Sequence, residues 1–270
     1  MKLTVADHPV FIYTGARPLE RTRPAVVLVH GAGNDHSVWN HQARHLAHHG
    51  FAVIAPDLPG HGRSGGAPLP SIEALAQWLV ALLDGLELER AALVGHSMGS
   101  LVALHAAAER PERVTRLVLV GSVAPMPVAE PLLDAARNAP DAARAMIDQW
   151  SFTPKSQLGA SASPGLYLPN VNRQLMARQP GGVLANDLAA CNAYVRGLEA
   201  AARVRCPTAL LCAARDQMTP RHAVQPLCEA LASAPGGARL IGIAAAGHAM
   251  MAEAPDAVTD SLRGFLSEKQ

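Results

Sequence analysis

Short, continuous apolar runs alternate along this chain with longer stretches whose apolar positions recur every three or four residues. AVVLVHG (Ala25–Gly31), FAVIAPDLPG (from Phe51), AALVG (from Ala91), RLVLVGS (Arg116–Ser122), PTALLCAARD (Pro207–Asp216) and ARLIGIAAAGH (Ala238–His248) read as buried strands. Val38–Gly50 reads as a helix closed by Gly50. Ser71 caps a second helix, IEALAQWLVALLDG, which ends at Gly85. GSLVALHAAAER stops at Pro111, and HAVQPLCEALAS and PDAVTDSLRGFLSE complete the set. Continuous apolar strands separated by helices predict a parallel sheet covered on both faces, with right-handed crossovers. KLTV and VFIYTG, near the start, read as two short strands forming an antiparallel edge.

The rhythm breaks once. From about Pro125 to Arg205 no strand-like run occurs. LLDAARNAPDAARAMIDQW, VNRQLMARQ and VLANDLAACNAYVRGLEAAARV read as helices, with a Ser/Gly/Pro-rich loop at Thr153–Pro169. That is too long for an ordinary connection. The expected organisation is a core of residues 1–124 and 206–270, with a helical cap, 125–205, inserted between two core strands over the open end of the sheet.

Composition narrows the class. Of 270 residues, 49% are hydrophobic and 17% charged, enough for a sizeable core and against disorder. A net charge of +1 without long runs of one sign leaves no footprint for nucleic acid or an anionic membrane surface. No apolar stretch reaches the ~18–20 residues of a membrane span. Asp7, His8 and Pro9 interrupt any signal-peptide core, so a cytoplasmic location is expected. The four cysteines, Cys191, Cys206, Cys212 and Cys228, form no C-x-x-C pair and read as free thiols.

The chemistry centres on VGHSMGS. Ser97 sits between Gly95 and Gly99 at a predicted strand–helix junction. Such a tight turn strains the nucleophile's backbone, and a side chain two residues away on either side would crowd the neighbouring strand and helix. A serine hydroxyl needs a base, a group to orient the base, and donors for the developing oxyanion. In an open α/β sheet those groups gather at the carboxyl ends of strands. His248 follows the last strand-like run and Asp216 the one before it, giving the order Ser97, Asp216, His248. The expected oxyanion donors are the backbone N–H groups of Met98 and Ala32, with Gly33 the alternative to Ala32.

Four separated stretches, HGAGNDHSVW, DLPGHGRSGG, VGHSMGS and the pair RDQMTP with GHAMMAEAPDAV, resemble the α/β-hydrolase superfamily in order and position. The resemblance implies an eight-stranded, mostly parallel sheet with one antiparallel strand, a helical cap, and no metal or organic cofactor. It carries the roles of nucleophile, acid and base onto Ser97, Asp216 and His248. It implies a small-molecule ester or lactone as substrate. Carbon–carbon bond hydrolysis, cofactor-free perhydrolysis and a receptor that hydrolyses its ligand slowly or once remain alternatives. Ser97 argues against the dehalogenase and epoxide hydrolase branches, whose nucleophile is an aspartate. Homo-oligomerisation is compatible with the sequence but not indicated by it.

Other features have plainer readings. Gly60–Gly65 fits G-x-G-x-x-G but is preceded by Pro59 and followed by Pro68 and Pro70, so a tight loop is expected, with Asp57 and Arg63 paired. His41, His45 and His49 share one helix face and read as solvent-facing. His30 is expected to brace the oxyanion loop, and His96 to point away from Ser97. Trp39, Trp150 and Tyr194 are the candidate pocket aromatics, with Phe152 and Tyr167 able to line the pocket or simply pack helices; Met250 and Met251 stand the same way.

Overall fold

The computed structural model describes residues 1–161 and 165–268. Its strands are β1 (Lys2–Val5), β2 (His8–Tyr13), β3 (Ala25–Val29), β4 (Ala52–Pro56), β5 (Ala91–His96), β6 (Val114–Val120), β7 (Thr208–Ala213) and β8 (Ala238–Ile243). They form one sheet in the order β1-β2-β4-β3-β5-β6-β7-β8. β2 is antiparallel to both its neighbours, and every other pairing is parallel, so β2 is the one reversed strand.

Side chains of successive strand residues leave opposite faces of the sheet. Val27 and Val29 of β3 and Leu117 and Leu119 of β6 join one core; Val26, Leu28, Val118 and Val120 join the other. α1 (Asn40–His48) packs on the second face, and α2 (Ile72–Gly85) and α3 (Met98–Glu109) on the first. Every residue of β3, β4, β5 and β7 is buried, which is why these strands read as unbroken apolar runs. The Ser71 hydroxyl accepts the Ala74 N–H at 3.1 Å as the predicted cap of α2, and Gly50, at φ 94°, follows the end of α1.

Between β6 and β7 lie α4 (Glu130–Asn138), α5 (Pro140–Ser151), α6 (Pro154–Gln157), α7 (Leu168–Ala177), α8 (Val183–Ala193) and α9 (Gly197–Arg203), with no strand among the described residues. The single predicted helix through Leu132–Trp150 is two, because Pro140 lacks an N–H to continue α4 and instead opens α5. The Ser/Gly/Pro-rich loop contains the short α6, and its residues 162–164 lie outside the described residues. The run from Val183 breaks at Tyr194–Arg196 into α8 and α9. Leu132, Leu133, Ile147, Met176, Leu184 and Leu188 form a separate apolar core within this insertion. α9 is different: Ala200 and Ala201 pack with the α3 side of the sheet.

The chain ends with α10 (Gln225–Ala230), α11 (Met250–Glu253) and α12 (Pro255–Leu266). α12 packs beside α1 on the second face. All four cysteines are free thiols. No helix among the described residues is long and apolar enough to cross a membrane.

Candidate active site

β5 delivers its last residues straight into α3, and Ser97 is the hinge between them. Its backbone, at φ 52° and ψ −120°, lies in a region that residues with a β-carbon rarely occupy. The Ser97 N–H donates to Val120 O at 3.0 Å, which ties the turn to β6. A β-carbon on residue 95 would stand 2.1 Å from Gly99 O, and one on residue 99 would stand 2.5 Å from the carbonyl oxygens of Val29 and His30. Both glycines are therefore obligatory where strand, turn and helix meet.

Asp216 follows β7 and His248 follows β8. His248 Nδ1 lies 2.8 Å from Asp216 Oδ2. Oδ1 also accepts the N–H groups of Met218 (2.9 Å) and Thr219 (2.8 Å), and Oδ2 accepts the Thr219 hydroxyl at 2.7 Å. Burial alone would raise this carboxyl, but His248 and the Thr219 donors outweigh it and hold it well below the usual carboxylate range. An ionised carboxylate only accepts, so Nδ1 carries the imidazole proton. Nε2 is left as a lone pair, buried and without a partner among the described residues.

Two residues that sequence reasoning missed border this imidazole and the loop that carries it. Gly121, just past β6 at φ 57°, leaves room for the ring. Glu253 Oε2 accepts the Gly247 N–H at 2.6 Å, while Oε1 accepts from Thr153 N (2.9 Å), Thr153 Oγ1 (2.7 Å) and Ser156 Oγ (2.6 Å) of the insertion. The His96 ring does not turn away from the site. It packs against His248 at 4.7 Å between centroids, and its Nε2 reaches His248 O at 3.0 Å. Burial, and then the neighbouring His248, lower its pKa to about 3, so it stays neutral.

The loop after β3 approaches from the other side. A β-carbon on Gly31 would lie 3.2 Å from Ser97 Cβ. His30 Nε2 accepts the Leu58 N–H at 3.1 Å, which leaves Nδ1 to donate to Gly31 O at 2.9 Å. The expected bracing by His30 is thus a clip between two loops. The Gly33 N–H is engaged by Asp187 at 2.8 Å. The N–H groups of Ala32 and Met98 bond to no other group among the described residues.

A cavity of about 1050 Å³ opens here, lined by Ala32, Ser97 and His248 and walled by the insertion, including Leu132, Trp150 and Phe152. Two expected pocket aromatics do not reach it. Trp39 is fully buried beside α1, edge-on to His96. Tyr194 is buried against α3, where its hydroxyl meets His105 Nδ1 at 2.9 Å. Their large faces fill core space that the sheet and α3 leave. Tyr167 is exposed, Met251 lines the cavity and Met250 is core.

The remaining motifs are structural. Gly60–Gly65 is a tight loop, with Gly60 N–H on Gly65 O at 3.2 Å and no helix opening within it. Asp57 does not pair with the Arg63 guanidinium, which lies over the Phe11 ring at 4.5 Å. It accepts the Arg63 backbone N–H and the His36 ring instead. Asp35, His36 and Asp57 are close enough to hold a metal ion, yet their oxygens already accept from Ser37, Arg178, His36 and the Arg63 N–H. His45 and His49 do not simply face solvent: their rings stack at 3.9 Å, and His45 Nε2 is buried.

The comparisons with known proteins agree with the fold. At 32% identity over 78% of this chain and 83% of the relative, it is similar to a pimeloyl-[acyl-carrier protein] methyl ester esterase of Chromobacterium violaceum. It is 44% identical to lipase LipV of Mycobacterium tuberculosis over 36% of this chain and 37% of that protein. A 40% identical match to an uncharacterized protein of the same species spans 44% of this chain and only 35% of that relative. In fold it is similar to the enol-lactonase of Burkholderia xenovorans LB400, with a TM-score of 0.85, 24% identity, and 99% and 100% of the two chains covered. A family model described as alpha/beta hydrolase fold matches residues 24–255, and the chain belongs to that family.

Proposed function

We propose that this protein is a serine hydrolase of small-to-medium carboxylic esters or lactones. One observation carries the reading: in the cavity that Ser97 lines, His248 presents an unpartnered Nε2 while Asp216 holds its other nitrogen.

In the proposed reaction, His248 Nε2 takes the Ser97 Oγ proton as Oγ bonds to the acyl carbon. The carbonyl oxygen, now an oxyanion, is met by the N–H groups of Ala32 and Met98. Asp216 stays ionised and stabilises the imidazolium. The imidazolium then returns its proton to the departing alkoxide oxygen, leaving an acyl-enzyme. Water, deprotonated by the same Nε2, releases the acid and regenerates Ser97.

Residues 125–205 serve as the cap that shapes the acyl site. Its cavity wall is mainly apolar, and Arg178, at the cavity, is matched by Asp35 at 2.6 Å. This supports an uncharged acyl group of moderate length. The similarity to a methyl ester esterase and an enol-lactonase supports the same bond class.

The test is hydrolysis of nitrophenyl esters from acetyl to decanoyl, with Ser97→Ala as control. Multiple turnovers that vanish in the variant are expected. Undiminished turnover by Ser97→Ala would overturn the assignment of the nucleophile. No turnover by the native protein, with Ser97 still labelled by a fluorophosphonate, would replace ester cleavage with the carbon–carbon or receptor alternatives.

A further inference from the structure

Asp187 belongs to α8, in the insertion, yet it is buried against two loops of the core. Its Oδ2 accepts two hydrogen bonds, each of 2.8 Å, from Gly33 N–H and from His61 Nε2. His61 Nδ1 lies 3.0 Å from Pro59 O. A carboxylate and a carbonyl both only accept, so both ring nitrogens carry hydrogen and His61 is an imidazolium. Burial opposes that charge, but Asp187 beside it prevails and raises the His61 pKa. His30, 5.0 Å away between ring centroids, is held neutral: burial and the charge on His61 lower its pKa to about 4.

These two histidines and Asp187 act on two consecutive peptide planes. The Gly31–Ala32 peptide carries the Gly31 carbonyl, gripped by His30, and on its opposite edge the Ala32 N–H. The Ala32–Gly33 peptide carries the Gly33 N–H, gripped by Asp187. With both planes fixed, the Ala32 N–H, on a residue that lines the cavity, cannot change direction without breaking a buried hydrogen bond. The grip on Gly33 also withdraws its N–H from competing for the oxyanion.

We infer that Asp187, with His61 as its counter-ion, is a positioning residue of the oxyanion hole. The insertion therefore supplies a part of the machinery for charge stabilisation as well as the pocket wall. The inference rests on the proposed roles of Ser97 and Ala32.

The experiment compares Asp187→Ala, Asp187→Asn, Asp187→Glu and Ser97→Ala with the native protein on the best nitrophenyl ester. It reads kcat, KM and the rate of Ser97 phosphonylation. Asp187→Ala is expected to lower kcat and phosphonylation by roughly 10- to 100-fold while KM moves less than about threefold. Asp187→Asn keeps an oxygen for Gly33 and should recover kcat to within about fivefold of native. Asp187→Glu keeps the charge but displaces it by a methylene. It should lose kcat by about tenfold or more, and it decides the matter if the alanine variant does not fold. Native kcat in the Ala or Glu variant, a loss confined to KM, or an Asn variant as impaired as Ala would overturn the inference. Turnover persisting in Ser97→Ala would instead overturn the reading beneath it, whatever Asp187 does.

Discussion

Gly121 lies against the ring of His248: a β-carbon at residue 121 would stand 3.1 Å from both Cε1 and Nδ1 of that imidazole, and 3.5 Å from Asp216 Oδ2. Its φ of 57° adds a second reason for glycine. Gly121→Ala would store backbone strain of about 1–2 kcal/mol and push the imidazole toward the cavity. The expected result is a fall in kcat of roughly tenfold or more with the sheet intact by circular dichroism. Native kcat in that variant would show that the ring has slack.

Asp216→Asn should cost about 10³–10⁴ in kcat. The amide can offer an N–H toward Nδ1, which favours the tautomer with hydrogen on Nε2 and removes the base. Steady-state kinetics with the ester panel checks this, and near-native kcat would exclude the proposed role of Asp216.

The aromatic side chains divide by position. Trp150 lines the cavity, so Trp150→Ala should raise kcat/KM for decanoyl relative to acetyl esters by about tenfold. Tyr194 lies in the core, and Tyr194→Phe should leave kcat within about twofold while costing about 1 kcal/mol, because His105 loses its partner. The reverse pattern in the two variants would relocate the acyl site.

Acid should destabilise the fold before carboxylates titrate. His30 and His96 are buried neutral, with pKa values of about 4 and about 3, against about 6.5 in the unfolded chain. Between those values the unfolded state binds more protons. Their contribution is therefore complete above about pH 6.5 and is lost as the pH falls, by up to about 1.4 kcal/mol per pH unit for each. His61 runs the other way. Its folded pKa is raised by Asp187, so its contribution is present below about pH 6.5 and lost as the pH rises through the folded value. Urea unfolding from pH 5 to 9 should show a maximum near neutrality, with an alkaline decline absent in His61→Gln. A flat profile from pH 5 to 7 would contradict the two neutral histidines.

The parallel sheet was legible because buried strands leave unbroken apolar runs and Gly50, Ser71 and Pro111 mark helix ends locally. β2, half-exposed, was legible only as one of two edge strands, and its reversal relative to both neighbours came from the family resemblance. The glycine frame of Ser97 was legible from its local G-x-S-x-G pattern, although only the clash at residue 95 is local, with Gly99 O; the one at residue 99 is with the distant Val29 and His30 carbonyls. Asp216 and His248 followed from strand-end positions, and the structure brings them within 2.8 Å of each other. Asp187, Glu253 and Gly121 were not legible. Asp187 and Gly121 act on residues far away in sequence, as Glu253 does through Thr153 and Ser156, and none has a local pattern that marks it. Trp39 and Tyr194 were misplaced because an aromatic side chain near a site reads the same whether it faces a cavity or a core. The direction is decided by helix packing, as with Tyr194, which turns toward α3 at the break between α8 and α9.

Glu253 receives donors from the insertion on one oxygen and from the residue preceding His248 on the other. A chimera that exchanged residues 125–205 for the corresponding helices of another member of the fold would thus change more than the proposed acyl site. Unless the newcomer offered hydroxyl and amide donors where Thr153 and Ser156 stand, Glu253 would keep a stranded oxygen next to the His248 loop. Specificity in this chain is better altered by single substitutions within the wall than by transplanting the wall whole.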